Sequence, residues 1–173
     1  GRGAFKLEAA LEQFGIDATG MVCADIGAAT GGFTEVRLRR GARKVYAIDT
    51  AYGKMAPKIR EDSRVVVMDR TDVRAVQNLP EPIDLVTIDV SLIPLEGILP
   101  SVKRLLVSPN DRSVGRAPGG SVVALIKPQY ETRDAKLLRH GIVRDGSARE
   151  EILQSFLAWA AQDGWKVLRH IES

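Results

Sequence analysis

The chain has 173 residues, of which 45% are hydrophobic and 27% charged, with a net charge of +3. That length supports one globular domain with its own core, and the balance excludes a disordered or fibrous chain. No apolar run approaches the ~20 residues of a membrane-spanning helix. No secretory leader pattern is visible, and the lone cysteine, Cys23, forms no internal disulfide, so a reducing cytoplasm is the expected compartment.

In chain order, Ala4–Phe14 reads as an opening helix. The apolar run Met21-Val22-Cys23-Ala24 gives a strand over Val22–Asp25. It leads into Asp25-Ile26-Gly27-Ala28-Ala29-Thr30-Gly31-Gly32-Phe33 and then a helix over Phe33–Arg40. Strand, glycine-rich turn, helix is the order that brings a nucleotide-like ligand against bare backbone. A dinucleotide loop wants Gly-x-Gly-x-x-Gly, whereas these glycines read Gly-x-x-x-Gly-Gly. Asp25 would also repel a pyrophosphate. It suits a ligand with positive charge, such as the ammonium and sulfonium of S-adenosylmethionine. The competing structural reading is a turn that needs glycine for positive φ or close packing. Arg37, Arg39, Arg40, Arg43 and Lys44 then fall within eight positions, as a solvated helix face or an RNA contact.

Strands follow at Val45–Asp49, Val65–Met68, Leu85–Asp89, Val122–Lys127 and Val167–Ile171. Most are continuous apolar runs, as expected of strands buried on both faces of a parallel sheet. Helical stretches fall at Ala51–Arg60, Leu95–Leu106 and Ala148–Gln162. The last presents Ile152, Leu153, Phe156, Trp159 and Ala160 as a face for the sheet. Ser108–Gly120 reads as a long surface loop. The alternation predicts an α/β fold with a doubly wound sheet, in which ligands bind at the carboxyl ends of strands. Those ends carry Asp25, Asp49, Asp69, Asp89 and Lys127.

An acid at Asp49, roughly twenty residues past the glycine turn, can accept both hydroxyls of a ribose, or cap the next helix. Asp69 can accept from an adenine amino group, while Thr71 or Asp72 caps the following short helix. Lys127, ending a buried strand, needs a partner. It forms a structural ion pair with Asp89, or it acts as a base beside a second cation in a low dielectric. Lys6 is the candidate second cation, or an ordinary solvated helix residue.

Together these residues make the chain resemble the FtsJ-like RNA 2′-O-methyltransferases, and more closely their TlyA-type, hemolysin-labelled branch. The marks are Arg-Gly-x-x-Lys-Leu at Arg2–Leu7, Asp-Ile-Gly-Ala-Ala-Thr-Gly-Gly-Phe-Thr at Asp25–Thr34, Ile-Asp-Val-Ser at Ile88–Ser91 and Lys-Pro-Gln-Tyr-Glu at Lys127–Glu131. The resemblance covers essentially residues 1–173. It implies a Rossmann-like S-adenosylmethionine-dependent methyltransferase sheet with the final antiparallel strand missing, and a fragment of a longer protein that has an RNA-binding domain before it. It implies S-adenosylmethionine on Asp25, Gly27, Ala28, Thr30, Gly31, Gly32, Phe33, Asp49 and Asp69. It also implies a catalytic set of Lys6, Asp89 and Lys127, whose fourth member, a glutamate, matches neither Glu131 nor Glu172. The implied partner is RNA, ribosomal RNA or ribosomal subunits, with no membrane.

Three other functions compete. A nicotinamide oxidoreductase is disfavoured by the glycine spacing and Asp25. A pore-forming hemolysin is disfavoured by the lack of a spanning or strongly amphipathic basic segment. A module that binds S-adenosylmethionine or RNA without turnover is favoured only by the missing glutamate.

Overall fold

The computed structural model describes residues 2–132, 134, 136, 138–139 and 142–172. The chain divides into two compact units, Gly1–Val90 with Ser101–Leu125, and Ser91–Pro100 with Ile126–Glu172.

The first unit is built on a five-stranded parallel sheet of β1 (Val22–Ile26), β2 (Lys44–Ile48), β3 (Val65–Met68), β4 (Leu85–Ile88) and β5 (Ser121–Ala124), in the order β3-β2-β1-β4-β5. Every residue of β1 and β4 is buried, as continuous apolar runs predict, while the edge strands β3 and β5 are partly open. Asp25 pairs in register with Ala47 on one side and Thr87 on the other. The order reverses at β1, which puts the topological switch point between β1 and β4. Helices α1 (Arg2–Phe14) and α2 (Gly32–Arg39) contact one another. Leu7, Leu11, Phe33 and Val36 from them join Cys23, Val45, Leu85 and Val123 of the sheet in one core. Cys23 is a small core residue whose thiol is pushed up to about 12 by burial. The 108–120 segment is a loop, pinned by Arg116, whose Nε donates to Asp84 Oδ1 at 2.7 Å. Asp84 Oδ2 in turn accepts from Val22 N–H at 2.9 Å, at the start of β1.

Two predicted helices are shorter than expected. Of Ala51–Arg60 only α3 (Pro57–Arg60) is helical. Asp49 and Asp69 take the N–H groups of Ala51 and Gly53 with their side chains, and Gly53 has φ +70°, so the backbone there has a better alternative to a helix. Leu95–Leu106 becomes a 3₁₀ turn over Leu95–Gly97 and α4 (Leu99–Lys103), broken at Ile98 between Gly97 and Pro100.

The second unit holds the Leu95–Gly97 turn, the one-turn helix α5 (Pro128–Glu131), a two-stranded antiparallel pair, β6 (Leu138–Arg139) with β7 (Ile142–Val143), and α6 (Gly146–Gln162). Asp145 Oδ1 caps α6 by accepting from Ser147 N–H at 2.8 Å and Ala148 N–H at 3.3 Å. Within this unit α6 packs on α5, β7 and the 3₁₀ turn. The strand expected over Val167–Ile171 is not formed. Val167, Leu168 and Ile171 are exposed, and no neighbouring strand among the described residues offers them a hydrogen-bond ladder.

Candidate active site

The glycine-rich turn follows β1 and is held from inside. Gly27 N–H and Ala28 N–H donate to the Ile48 carbonyl at 2.9 and 3.2 Å, and Ala29 N–H donates to Asp49 Oδ2 at 2.7 Å. Ala29 sits at φ 48°, which a non-glycine residue rarely adopts, and the bond from its N–H to the Asp49 carboxylate helps to hold it there. Gly27 and Gly31 have φ of 82° and 97°. A Cβ on Gly27 would run into the Asp89 carbonyl oxygen, and one on Gly31 into Met55 Sδ and Ile59. The bare faces of these two glycines therefore meet protein, so close packing accounts for both. The accessible rim is Ala29 and Thr30, with Gly27 and Gly32 half-buried, while Ala28, Gly31 and Phe33 lie below the surface. A cleft of about 190 Å³ lined by Ala4, Phe5, Glu8, Gly32, Glu35, Val36 and Arg39 runs up to the turn.

Asp25 is fully buried beneath that turn rather than facing a ligand. Thr34 Oγ1 donates to its Oδ2 at 2.9 Å, and among the described residues its Oδ1 has no hydrogen-bond partner. Burial pushes the carboxyl up to about 6, against the opposing pull of the Arg37 charge and the Thr34 hydroxyl. Arg37 is itself fully buried, with Nη1 donating to the Phe33 carbonyl at 2.6 Å and the guanidinium carbon 5.7 Å from the Phe33 ring centre. Arg37 therefore leaves the expected surface cluster and becomes the internal counter-charge of Asp25. Much of the rest of that cluster is neutralised within the unit. Arg40 pairs with Glu8 and Glu12, and Arg43 and Lys44 pair with Glu81.

Asp49 and Asp69 sit immediately after β2 and β3. Asp49 also accepts from Ala51 N–H at 2.8 Å through Oδ1. Asp69 Oδ2 accepts from Arg60 Nη2 at 2.8 Å and Gly53 N–H at 3.1 Å, and the Arg60 bond holds its carboxyl below the ordinary range. Asp72 caps the 3₁₀ turn Val73–Ala75, a purely structural role. Asp89 follows β4 and lies against α1. A Cβ on Gly3 would fall 2.5 Å from Asp89 Oδ2, so glycine at that position is what lets the first turn of α1 approach the carboxylate. Lys6, exposed, is three residues further along the same helix.

In the second unit, Lys127 immediately precedes α5 and its Nζ donates to Ser91 Oγ at 3.2 Å. Glu131, at the end of α5, accepts from Leu95 N–H at 2.9 Å, and burial raises its carboxyl. Its role is to anchor α5 to the 3₁₀ turn. Ser91 and Thr34 both stood inside quoted motifs, but a lone hydroxyl in a sequence carries no sign of which charge it serves.

The model of the family described as FtsJ-like methyltransferase matches residues 1–173. A Mycobacterium tuberculosis protein named 16S/23S rRNA (cytidine-2'-O)-methyltransferase TlyA is 41% identical over 169 residues, covering 95% of this chain and 58% of the relative. YqxC of Bacillus subtilis, whose name marks it as a candidate rRNA methyltransferase, is 39% identical over 170 residues, covering 95% and 56%. The chain thus spans under two thirds of the length of these curated relatives. A solved structure described as a candidate hemolysin of Streptococcus thermophilus superposes with a TM-score of 0.85 at 38% identity, covering 94% of this chain and 56% of that one. Among the described residues no helix is long and apolar enough to cross a membrane.

Proposed function

Since the chain belongs to the FtsJ-like methyltransferase family, we propose that the protein transfers a methyl group from S-adenosylmethionine to a ribose 2′-hydroxyl of ribosomal RNA. The observation that carries this reading is 41% identity, across 95% of the chain, to a relative named as an rRNA (cytidine-2'-O)-methyltransferase.

The residues at the carboxyl edge of the sheet fit such a cofactor. Asp49 uses one acceptor position on each oxygen for Ala29 and Ala51. A carboxylate has about four such positions, so two remain for ribose hydroxyls. The rim of the glycine turn and Asp69 complete the holding set, with Asp25, Ala28, Gly31 and Phe33 shaping the turn from below. Bound S-adenosylmethionine supplies an electrophilic methyl group on a sulfonium.

A ribose 2′-hydroxyl is a weak nucleophile, so its proton must pass to a positioned base during attack. Lys127 is that base, and the Ser91 hydroxyl fixes the direction of its Nζ. Asp89 and Lys6 position the acceptor and balance the charge on it. Holding both substrates in place supplies much of the acceleration. Such an enzyme works where ribosomes are assembled, in the cytoplasm. The test is to incubate the full-length protein with ribosomal subunits and labelled S-adenosylmethionine and to map 2′-O-methyl groups. Absence of label in any ribosomal RNA would reject the reading.

A further inference from the structure

Tyr52 and Arg70 make an exposed stacked pair on the first unit. Tyr52 is 69% exposed, and the Arg70 guanidinium carbon lies 4.5 Å from the centre of its ring. The backbone beneath them is fixed. Arg70 N–H donates to the Ala51 carbonyl at 3.0 Å, Thr71 N–H to the Asp49 carbonyl at 2.9 Å, and Gly53 N–H to Asp69 Oδ2 at 3.1 Å. These bonds tie the loop after β2 to the loop after β3. Arg70 takes φ 49°, a conformation that costs a non-glycine residue free energy.

An aromatic ring left this open forgoes the burial that its area would give in a core. Arg70 covers one face, and the space beside Gly53 is empty. A ring with one face backed by a guanidinium is suited to stacking an unpaired nucleobase. Two bases are at issue, the adenine of the cofactor and a base of the RNA, and charge decides between them. The adenine of S-adenosylmethionine is neutral and brings no phosphate for Arg70 to hold, whereas an RNA base has a phosphate on either side. Lys54 and Lys58 are exposed in the same segment, and Arg60 is committed to Asp69. The free cations around the ring therefore suit a phosphate backbone.

We infer that Tyr52 and Arg70 form a stacking platform for an unpaired base of the RNA acceptor, with Arg70 and Lys54 against its phosphates. This rests on the RNA reading above.

The test uses the full-length protein and a short, fluorescently labelled single-stranded RNA of mixed sequence, with cofactor affinity measured in parallel by calorimetry. Tyr52→Ala should weaken RNA binding about 5- to 150-fold, the range of one lost base stack. Tyr52→Phe and Tyr52→Trp should keep it, and cofactor affinity should be unchanged in all three. Arg70→Gln should lower the slope of log affinity against log salt by about one. If Tyr52→Ala loses cofactor affinity and keeps RNA affinity, the ring is an adenine shelf and the inference is overturned. It is equally overturned if neither affinity changes. RNA binding is read here without turnover. Tyr52-dependent RNA affinity in a protein that methylates no ribosomal RNA would therefore uphold the platform while rejecting the methyl-transfer reading.

Discussion

Asp49 Oδ2 accepts the Ala29 N–H at 2.7 Å, joining the end of β2 to the left-handed residue of the glycine-rich turn. One carboxylate thus shapes the turn and, on the proposed reading, has acceptor positions left for a ribose. Asp49→Ala should remove both contributions and weaken S-adenosylmethionine binding by roughly 1–3 kcal/mol, the scale of lost charge-assisted hydrogen bonds. Calorimetry is the direct measurement. Unchanged affinity would take Asp49 out of the cofactor site.

Gly3 separates stability from chemistry. Alanine there should be neutral or stabilise α1 by up to about 1 kcal/mol, since glycine is the poorer helix former. Yet its Cβ would fall 2.5 Å from Asp89 Oδ2, so the carboxylate must move. Gly3→Ala should keep or raise the melting temperature and lower methyl transfer on the order of 10²-fold, as small displacements of a catalytic group do. Full activity in a well-folded Gly3→Ala protein would show that the position of Asp89 is not critical.

Asp25 makes stability depend on pH. Its folded pKa, about 6, lies above the ordinary 3.8, so the folded state holds the proton more tightly. Below 3.8 both states are protonated and nothing is lost. As pH rises through that window stability falls, and above about 6 the full cost, about 3 kcal/mol, applies. Asp25→Asn cannot ionise. It mimics the protonated carboxyl and carries none of that ionisation cost, so it should gain on the wild type as pH rises to neutral. The telling quantity is the difference between wild type and variant in urea unfolding, which should move in the variant's favour by about 2 kcal/mol from about pH 4 to about pH 6. A flat difference would mean that Asp25 is ionised throughout.

The strand–turn–helix order and the parallel sheet were legible because buried strands read as unbroken apolar runs. The placement of Asp49, Asp69 and Asp89 just past strand ends was legible because they directly follow such runs. Arg37 was not. In sequence it is one of five nearby cations, and only the packing of α2 on β1 turns it inward to Asp25. The helix expected over Ala51–Arg60 failed because the two acids marked as ligand residues also capture the loop's own N–H groups. Val167–Ile171 has strand composition, but a strand is defined by its neighbour, and composition does not supply one. Tyr52 lacked a signal because its partner, Arg70, lies on a different loop.

Lys127 carries the sharpest chemical test. Its Nζ donates to Ser91 Oγ at 3.2 Å, a hydroxyl that helps to aim it. Lys127→Ala should abolish methyl transfer to RNA and leave S-adenosylmethionine affinity unchanged. Lys127→Arg keeps the positive charge but not the ability to give up a proton, so it should be nearly as inactive. Ser91→Ala keeps the proposed base and removes one hydrogen bond to it, so kcat should drop by about tenfold or less while the variant still turns over, in line with loss of one neutral hydrogen bond of ~1 kcal/mol. The order of activities, wild type above Ser91→Ala above both Lys127 variants, is read by single-turnover methyl transfer at saturating cofactor. Near-normal turnover by Lys127→Arg would show that the proton leaves by another route.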